Sequence, residues 1–133
     1  MVRFTRESVL SLQFLVIQET GGRAGIRDYD LLDSAVESVY QTFDGKELYP
    51  SDEEKAARLG YNIVTNHAFV DGNKRVGILT MLTYLELNGI KMQCLDDELI
   101  NAGLSLAKGN MKYDELLRWV KSHEKKIEME LVK

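Results

Sequence analysis

The residues from Asn66 to Arg75 combine side-chain types that suit the binding of a phosphate group. Gly72 allows the backbone to turn and to approach a ligand closely. If a helix begins here, its first N–H groups come from Asn73, Lys74 and Arg75, and such a helix start favours an anion. A lysine and an arginine in a first turn oppose the helix dipole, so a bound anion is the best explanation for them. The sequence therefore predicts a phosphate site at this helix start.

Two more side chains in this segment could act on a group bound there. A carboxylate beside a phosphate is repelled unless a cation lies between them, so Asp71 predicts Mg²⁺, which takes one or two carboxylates together with phosphate oxygens. His67 stands four residues earlier and could remove a proton from an attacking hydroxyl near neutral pH. Phe69 is expected to point into the core and hold the loop. The segment could thus combine a base with a metal-bound phosphate.

Each of these residues also has an ordinary structural explanation. A histidine in a last helical turn usually interacts with terminal carbonyls, Asp-Gly is a common turn, and a basic pair is usually solvated surface. Their combination at this spacing favours a site over coincidence. The chain lacks the G-x-x-x-x-G-K-[ST] pattern, so the phosphate site is not a P-loop. His123 has no comparable neighbours and is interpreted as a surface residue.

Helices must position this segment, because apolar residues recur at helical spacing along the chain and no stretch keeps the alternation of a half-buried strand. The sequence predicts an all-α fold, a bundle around a central apolar helix that carries the phosphate site at its start. That helix is apolar almost all round and is expected to have neighbours on every side. The six expected helices cover about 6–20, from after Asp28 to Asp44 and Gly45, 51–68, 73–88, 96–107 and 112–123.

Local signals mark several of the helix ends. Ser51 and Glu54 have the spacing of a capping box, Thr5 and Asp96 are candidate N-caps, and Gly21 can stop the first helix. Asp28 can cap the second helix. The residues that the second helix is expected to bury are Leu31, Leu32, Ala35, Val36, Val39 and Phe43.

Length and composition limit the possible classes of protein. With 133 residues the chain fits one domain, 1–133, with a charged tail from about residue 124. A single cysteine, Cys94, cannot form an internal disulfide, and we find neither a membrane-spanning stretch nor a signal-peptide pattern, which favours a cytoplasmic protein. The net charge of −4 argues against a direct nucleic-acid partner.

The segment from His67 to Arg75 resembles the signature of the Fic/Doc superfamily, H-x-F-x-[DE]-G-N followed by basic residues. Similar stretches surround it, 25–35 and 43–50, so the resemblance covers most of the chain. The residues that match the signature one for one are His67, Phe69, Asp71, Gly72, Asn73 and Arg75.

Where the chain departs from the signature, its residues are most similar to those of the Doc (death-on-curing) branch of that superfamily. Lys74 stands where AMP-transferring members usually have glycine, and Ile78 stands where they have a second arginine. Ala68 replaces a common proline and Val76 a common threonine; neither change removes a catalytic group.

The resemblance implies a helical Fic fold and an ATP- and Mg²⁺-dependent toxin. It implies phosphorylation of a threonine of elongation factor Tu, which stops translation, and restraint by a Phd-like antitoxin. It also implies residue roles: His67 is the base, Asp71 the Mg²⁺ ligand, and Gly72 shapes the loop. The implied nucleotide phosphate ligands are Asn73, Lys74 and Arg75, and the implied flap that holds the target as an added strand is Lys46, Glu47, Leu48 and Tyr49.

Two rival functions remain open at this point. AMP transfer could use the same site, although Lys74 and Ile78 favour phosphoryl transfer. A non-catalytic helical binding module could keep the motif as a relic, although the intact His67 and Asp71 argue against that.

Overall fold

Six α-helices and one short β-hairpin make up the fold, in a computed structural model that describes residues 2–125. The all-α prediction is confirmed. The helices are α1 (Arg6–Thr20), α2 (Tyr29–Glu37), α3 (Asp52–Asn66), α4 (Asn73–Leu87), α5 (Asp96–Ala107) and α6 (Tyr113–Ser122). Between α2 and α3 lie a 3₁₀ turn (Ser38–Tyr40) and the strands β1 (Thr42–Phe43) and β2 (Lys46–Glu47).

Helices α3 and α4 are in direct backbone contact, and this pair carries the segment predicted to bind phosphate. Gly60 of α3 faces Gly77 of α4: a Cβ added at Gly77 would stand 3.0 Å from the Gly60 carbonyl oxygen and would collide with Val64 Cγ2. A Cβ added at Gly60 would stand 3.2 Å from the Gly77 carbonyl oxygen. A methyl group at Gly77 would therefore force its neighbours to move, and one at Gly60 would crowd α4.

The end of α3 and the start of α4 are consequently held at a short, fixed separation. The capping box predicted at the other end of α3 is present, since the Glu54 N–H donates to Ser51 Oγ at 3.1 Å and the Ser51 N–H donates to Glu54 Oε1 at 3.3 Å. The side chains that α4 buries in the core are Val76, Ile78, Met81, Tyr84 and Leu85.

The second helix is shorter than predicted. It ends at Glu37, and Asp44 and Gly45 form the turn of an antiparallel hairpin rather than the end of a helix. Both residues have positive φ, 52° and 77°, as a two-residue hairpin turn requires, and Asp-Gly is a favoured pair for such a turn. Phe43, predicted to be buried, is 75% exposed because it belongs to this hairpin.

The central helix is not enclosed on every side, contrary to the prediction. Leu79 and Leu82 are half-buried, and they line an open groove between α1, α4 and α5. Leu87, in the last turn, is 54% exposed.

At α5 the N-cap is Leu95 rather than Asp96, and its N–H donates to Glu98 Oε1 at 2.9 Å.

His123 is not the surface residue that the sequence suggests. Its ring is half-buried, stacks on Trp119 with 4.2 Å between ring centroids, and places Nδ1 2.7 Å from the Trp119 carbonyl oxygen. Its Nε2 lies 2.7 Å from Glu98 Oε2, so this histidine ties the end of α6 to α5.

Most of the charged tail predicted from residue 124 lies outside the described residues. No helix within residues 2–125 has the length and apolar character needed to cross a membrane.

Candidate active site

His67 lies at the C-cap of α3, where the chain turns toward α4. Its φ of 52° and ψ of 46° fall in the left-handed region, which is uncommon for residues other than glycine. Arg27 stabilises this turn, because its Nε donates to the His67 carbonyl oxygen at 2.8 Å. The strained backbone at His67 is thus held by a contact from outside the loop.

The segment from Gly25 to Asp28 lies along the loop and pairs with it through the main chain. The N–H groups of Arg27 and Asp28 donate to the Ala68 carbonyl oxygen at 2.8 and 3.1 Å, and the Val70 N–H donates to the Gly25 carbonyl oxygen at 3.2 Å. The conformation of the loop therefore depends on residues about forty positions earlier in the chain.

The side chain of His67 is exposed, and its ring makes no hydrogen bond to another residue of the described part of the chain. The ordinary explanation for a histidine at a helix end, an interaction with terminal carbonyls, applies to His123 but not to His67. The His67 ring is therefore available to a group from solution.

Phe69 and Asn73 hold the middle of the loop. Phe69 is buried in the core, as expected. The Asn73 side chain forms a pair of hydrogen bonds with the Phe69 main chain: the Phe69 N–H donates to Asn73 Oδ1, and Asn73 Nδ2 donates to the Phe69 carbonyl oxygen, both at 3.1 Å. These two bonds fix the Asn73 side chain within the loop, and its main-chain N–H points into the first turn of α4 without a helical acceptor.

The N-terminus of α4 has the geometry of an anion site. Gly72 is the N-cap with φ of 86°, a left-handed conformation that suits glycine. The N–H groups of Asn73, Lys74 and Arg75 occupy the first turn, where a helix offers them no acceptor. Lys74 and Arg75 are both exposed, so two cations are accessible beside these N–H donors.

Asp71 is half-buried beside a glycine turn. The Arg23 N–H donates to Asp71 Oδ2 at 2.8 Å, and a Cβ at Gly22 would stand only 3.3 Å from that oxygen. Gln13 of α1, 2% exposed, supports the same corner: its Nε2 lies 3.3 Å from both the Asp71 and the Gly25 carbonyl oxygens. One carboxylate oxygen is thereby fixed, while Oδ1 receives no hydrogen bond from residues 2–125.

The donor set at Asp71 fits Mg²⁺ better than a metal held by several side chains. Residues 2–125 contain no group of three or more histidine, cysteine or acidic side chains that could hold a metal ion. Mg²⁺ commonly binds through one or two carboxylates, substrate phosphates and water, whereas structural Zn²⁺ needs four protein ligands and Ca²⁺ takes six to eight oxygens. A single carboxylate oxygen next to an anion site is compatible with that mode of binding.

An open groove of about 430 Å³ begins beside this anion site. Lys74 and Arg75 stand at its polar end, and Ile78, 8% exposed, lines it one turn further along α4. Ile100 and Leu104 of α5 are 59% and 38% exposed at its other wall. The candidate phosphate site and an apolar groove thus share the first turns of one helix.

The flap predicted at Lys46–Tyr49 is the second strand of the hairpin and the residues after it. Lys46, Glu47 and Leu48 are exposed, whereas Tyr49 is half-buried. The hairpin joins the body of the protein at the first turn of α3, and His67 caps the opposite end of that helix. The structure therefore does not bring the flap residues into the loop that holds His67 and Asp71.

Sequence reasoning missed three residues that support the site. Arg27, whose Nε donates to the His67 carbonyl oxygen, lies in a stretch that resembles the family, but nothing in the sequence indicated its role. Gln13 interrupts the apolar face of α1, and a polar residue at a core position was the available signal for it. The Arg23 N–H contact to Asp71 had no signal beyond the adjacent Gly21 and Gly22, because only the tertiary fold brings the two segments together.

Comparison with known proteins gives two findings. A family model described as the Fic/DOC family matches residues 3–85, which include the hairpin, the loop and the start of α4. The chain is 40% identical over 87 residues to the protein named Toxin Doc of Mycolicibacterium smegmatis, and the aligned part covers 65% of each of the two chains. The chain thus matches just under two thirds of the length of that relative.

Proposed function

Because this chain belongs to the Fic/DOC family, we propose that it transfers a phosphate-bearing group from ATP to a serine or threonine hydroxyl of a protein, with Mg²⁺. The observation that carries the proposal is the loop itself, in which an exposed histidine ring without a partner in residues 2–125 precedes a helix start that offers N–H groups, Lys74 and Arg75. A base and an anion site in one short loop are what transfer from a nucleotide to a hydroxyl requires.

In the proposed reaction His67 accepts the proton of the target hydroxyl as its oxygen attacks the γ-phosphorus. The bond from that phosphorus to the bridging oxygen breaks, and ADP leaves. Lys74, Arg75 and the first N–H groups of α4 hold the phosphates and neutralise the charge that develops on them. Asp71 holds the metal, which when bound would draw charge from the phosphate oxygens.

We favour phosphoryl transfer over AMP transfer because of two side chains. Lys74 adds bulk and charge where AMP-transferring members have glycine. Ile78 is buried at the groove wall, so the second arginine that orients the nucleotide in those members is replaced by an apolar residue. A nucleotide lying in their orientation would lose that ion pair.

ATP labelled at the α or the γ phosphate separates the two reactions. We expect the purified protein, incubated with cell extract and Mg²⁺, to transfer label to protein from γ-labelled ATP only. Transfer from α-labelled ATP only would establish AMP transfer instead. No transfer from either label would favour the third candidate, a binding module without activity.

The biological role that we propose is that of a cytoplasmic toxin that modifies elongation factor Tu and so stops translation. The support is the 40% identity to a protein named Toxin Doc, which spans the loop, and the match of the departures at Lys74 and Ile78 to that branch of the family.

We further propose that a Phd-like antitoxin restrains the protein in trans by laying an amphipathic helix into the apolar groove. Inhibitory helices of many Fic proteins contain [ST]-x-x-x-E-[GN], and no glutamate among these 133 residues has serine or threonine four positions earlier. Ile78 also replaces the arginine that such a glutamate would pair with. The groove walls are apolar and open, which suits a helix that folds on binding.

Co-expression tests this partner. We expect the protein to arrest growth when expressed alone and to be silenced by the product of the adjacent gene, and Ile100→Lys in the groove should abolish silencing without loss of activity. Leu95→Lys is the matched control, since Leu95 is 71% exposed but lies outside the groove. Harmless expression of an active enzyme without any partner would contradict the proposal.

A further inference from the structure

Lys55, in the first turn of α3, is 2% exposed, which is rare for a lysine. Its Nζ donates to the Tyr49 and Pro50 carbonyl oxygens and lies 3.0 Å from Glu47 Oε1. Glu47 ends the second strand of the hairpin, and Tyr49 and Pro50 lie in the segment that follows it. One buried ammonium thus ties the end of the hairpin to the helix that carries His67.

Arg58, one turn further along α3, holds the same tyrosine by its ring. Its guanidinium carbon lies 5.6, 5.5 and 5.3 Å from the ring centroids of Tyr49, Tyr61 and Tyr113. Its Nε is buried and has no hydrogen-bond acceptor within residues 2–125, so the aromatic faces are its main partners. Tyr49 is therefore fixed twice, at its carbonyl by Lys55 and at its ring by Arg58.

Tyr113 closes this cluster from α6. Its hydroxyl donates to the Glu54 carbonyl oxygen at 3.2 Å, and its ring meets the edge of Tyr49 with 5.6 Å between centroids. Burial, with the nearby Glu54 carboxylate, raises the pKa of Tyr113 well above its ordinary value, so the phenol stays a neutral donor. The hairpin is thereby anchored to two helices.

Stability of the fold alone does not explain why the Lys55 ammonium and the Arg58 Nε are buried here. A lysine in the first turn of a helix opposes the helix dipole, and burying an ammonium costs free energy that an apolar side chain of similar size would not. The hairpin, by contrast, needs the contacts of Lys55 and Arg58 to hold it in place. Each strand has two residues, the segment 41–48 is exposed throughout, and so short a hairpin is not stable by itself.

We propose that Lys55, supported by Arg58, is a positioning residue that sets where the hairpin presents a protein substrate to the active site. The inference rests on the proposed function, because it takes the ligand of the hairpin to be an extended segment that carries the target hydroxyl. Lys55 itself touches neither nucleotide nor target.

The lengths are compatible with this role. Twelve residues separate Lys55 from His67 along α3, which at 1.5 Å per residue is about 18 Å. An extended segment of five or six residues spans about the same length at roughly 3.3 Å per residue. A misplacement of the target by about 1 Å can cost 10²-fold in rate, so the anchor of the hairpin must be rigid.

Lys55→Met tests the proposal, because methionine fills similar space without the charge or the donors. The first measurement is amide hydrogen exchange in the full chain. We expect exchange of the Leu48 amide, whose N–H donates to Gln41 at 3.0 Å, to rise about tenfold, while α4 keeps its protection. Lys108→Met, at an exposed lysine after α5, is the matched control and should change neither.

The second measurement is label transfer from ATP to purified elongation factor Tu and to cell extract. We expect KM for the protein substrate to rise about tenfold while the affinity for ATP is unchanged. Unchanged exchange at the hairpin, or faster exchange with an unchanged KM, would overturn the proposal. If the wild type transfers no label to any protein, the proposed function fails, and the exchange data still decide whether Lys55 is the anchor.

A second variant guards against loss of the fold. Glu47→Gln removes the charge of the ion-pair partner on the exposed hairpin and leaves the core intact, since Glu47 is 48% exposed. We expect changes in the same direction as in Lys55→Met but smaller. If Lys55→Met does not fold, identical exchange and KM in Glu47→Gln and wild type would overturn the proposal.

Discussion

Replacing His67 with alanine should lower the rate of group transfer by about 10²- to 10⁴-fold, the usual contribution of a positioned general base. The reason is that the ring is exposed and has no hydrogen-bond partner within residues 2–125, so it is free to take the proton of the target hydroxyl. Initial rates of label transfer measure this loss, and calorimetric titration should give an unchanged affinity for ATP.

Two further variants serve as controls for this prediction. One changes the other histidine, and the other keeps a residue that suits the left-handed backbone at position 67. His123→Ala removes a half-buried ring bound to Trp119 and Glu98, so we expect lower thermal stability with normal turnover. His67→Asn also removes the base but tolerates the left-handed backbone, and it should be as inactive as the alanine variant. Wild-type turnover in a folded His67→Ala protein would remove His67 from the mechanism.

Exchange of Asp71 for asparagine should abolish the part of ATP binding that depends on Mg²⁺ and lower activity by about 10²-fold or more, since a bound metal contributes several kcal/mol to transition-state stabilisation. The amide oxygen can still accept from the Arg23 N–H, so the corner that Gly22 and Gln13 support should keep its shape. Titration of ATP by calorimetry, with and without Mg²⁺, measures the change directly.

Asp114→Asn gives the matched control, because Asp114 is an exposed carboxylate in the first turn of α6. It should bind and transfer as the wild type does. If the wild-type protein itself binds ATP equally with and without Mg²⁺, the metal has no place at Asp71 and the acid must serve another purpose.

The sequence predicted most helices because their ends carry local signals. Ser51 and Glu54 start α3 through contacts three residues apart, and Gly21 stops α1 with φ of 76°. The prediction failed where a local signal was misinterpreted: Asp44-Gly45 marks a hairpin turn as readily as a helix end, and the hairpin interpretation needed the short strands on either side.

The parts of the site that depend on tertiary contact could not be predicted. The motif from His67 to Arg75 is continuous, so a phosphate site could be hypothesised there from residue types alone. The contact of Arg27 with the His67 carbonyl joins residues forty positions apart. Lys55 follows three acidic residues in a helix start, where a lysine is normally solvated, and only the position of the hairpin carbonyls explains its burial.

The backbone contact between Gly60 and Gly77 bears on how the proposed activity would be controlled. Only residues 67–72 connect the two helices that carry the base and the candidate anion site, and at Gly60 and Gly77 those helices pack backbone against backbone. A cleft between two domains can be regulated by opening and closing, but this candidate site lies on one pair of packed helices. We therefore expect regulation to act on access to the site, through a partner that occupies the groove or the hairpin. A blocking partner would then leave the catalytic geometry undisturbed, so activity should return as soon as that partner dissociates or is degraded.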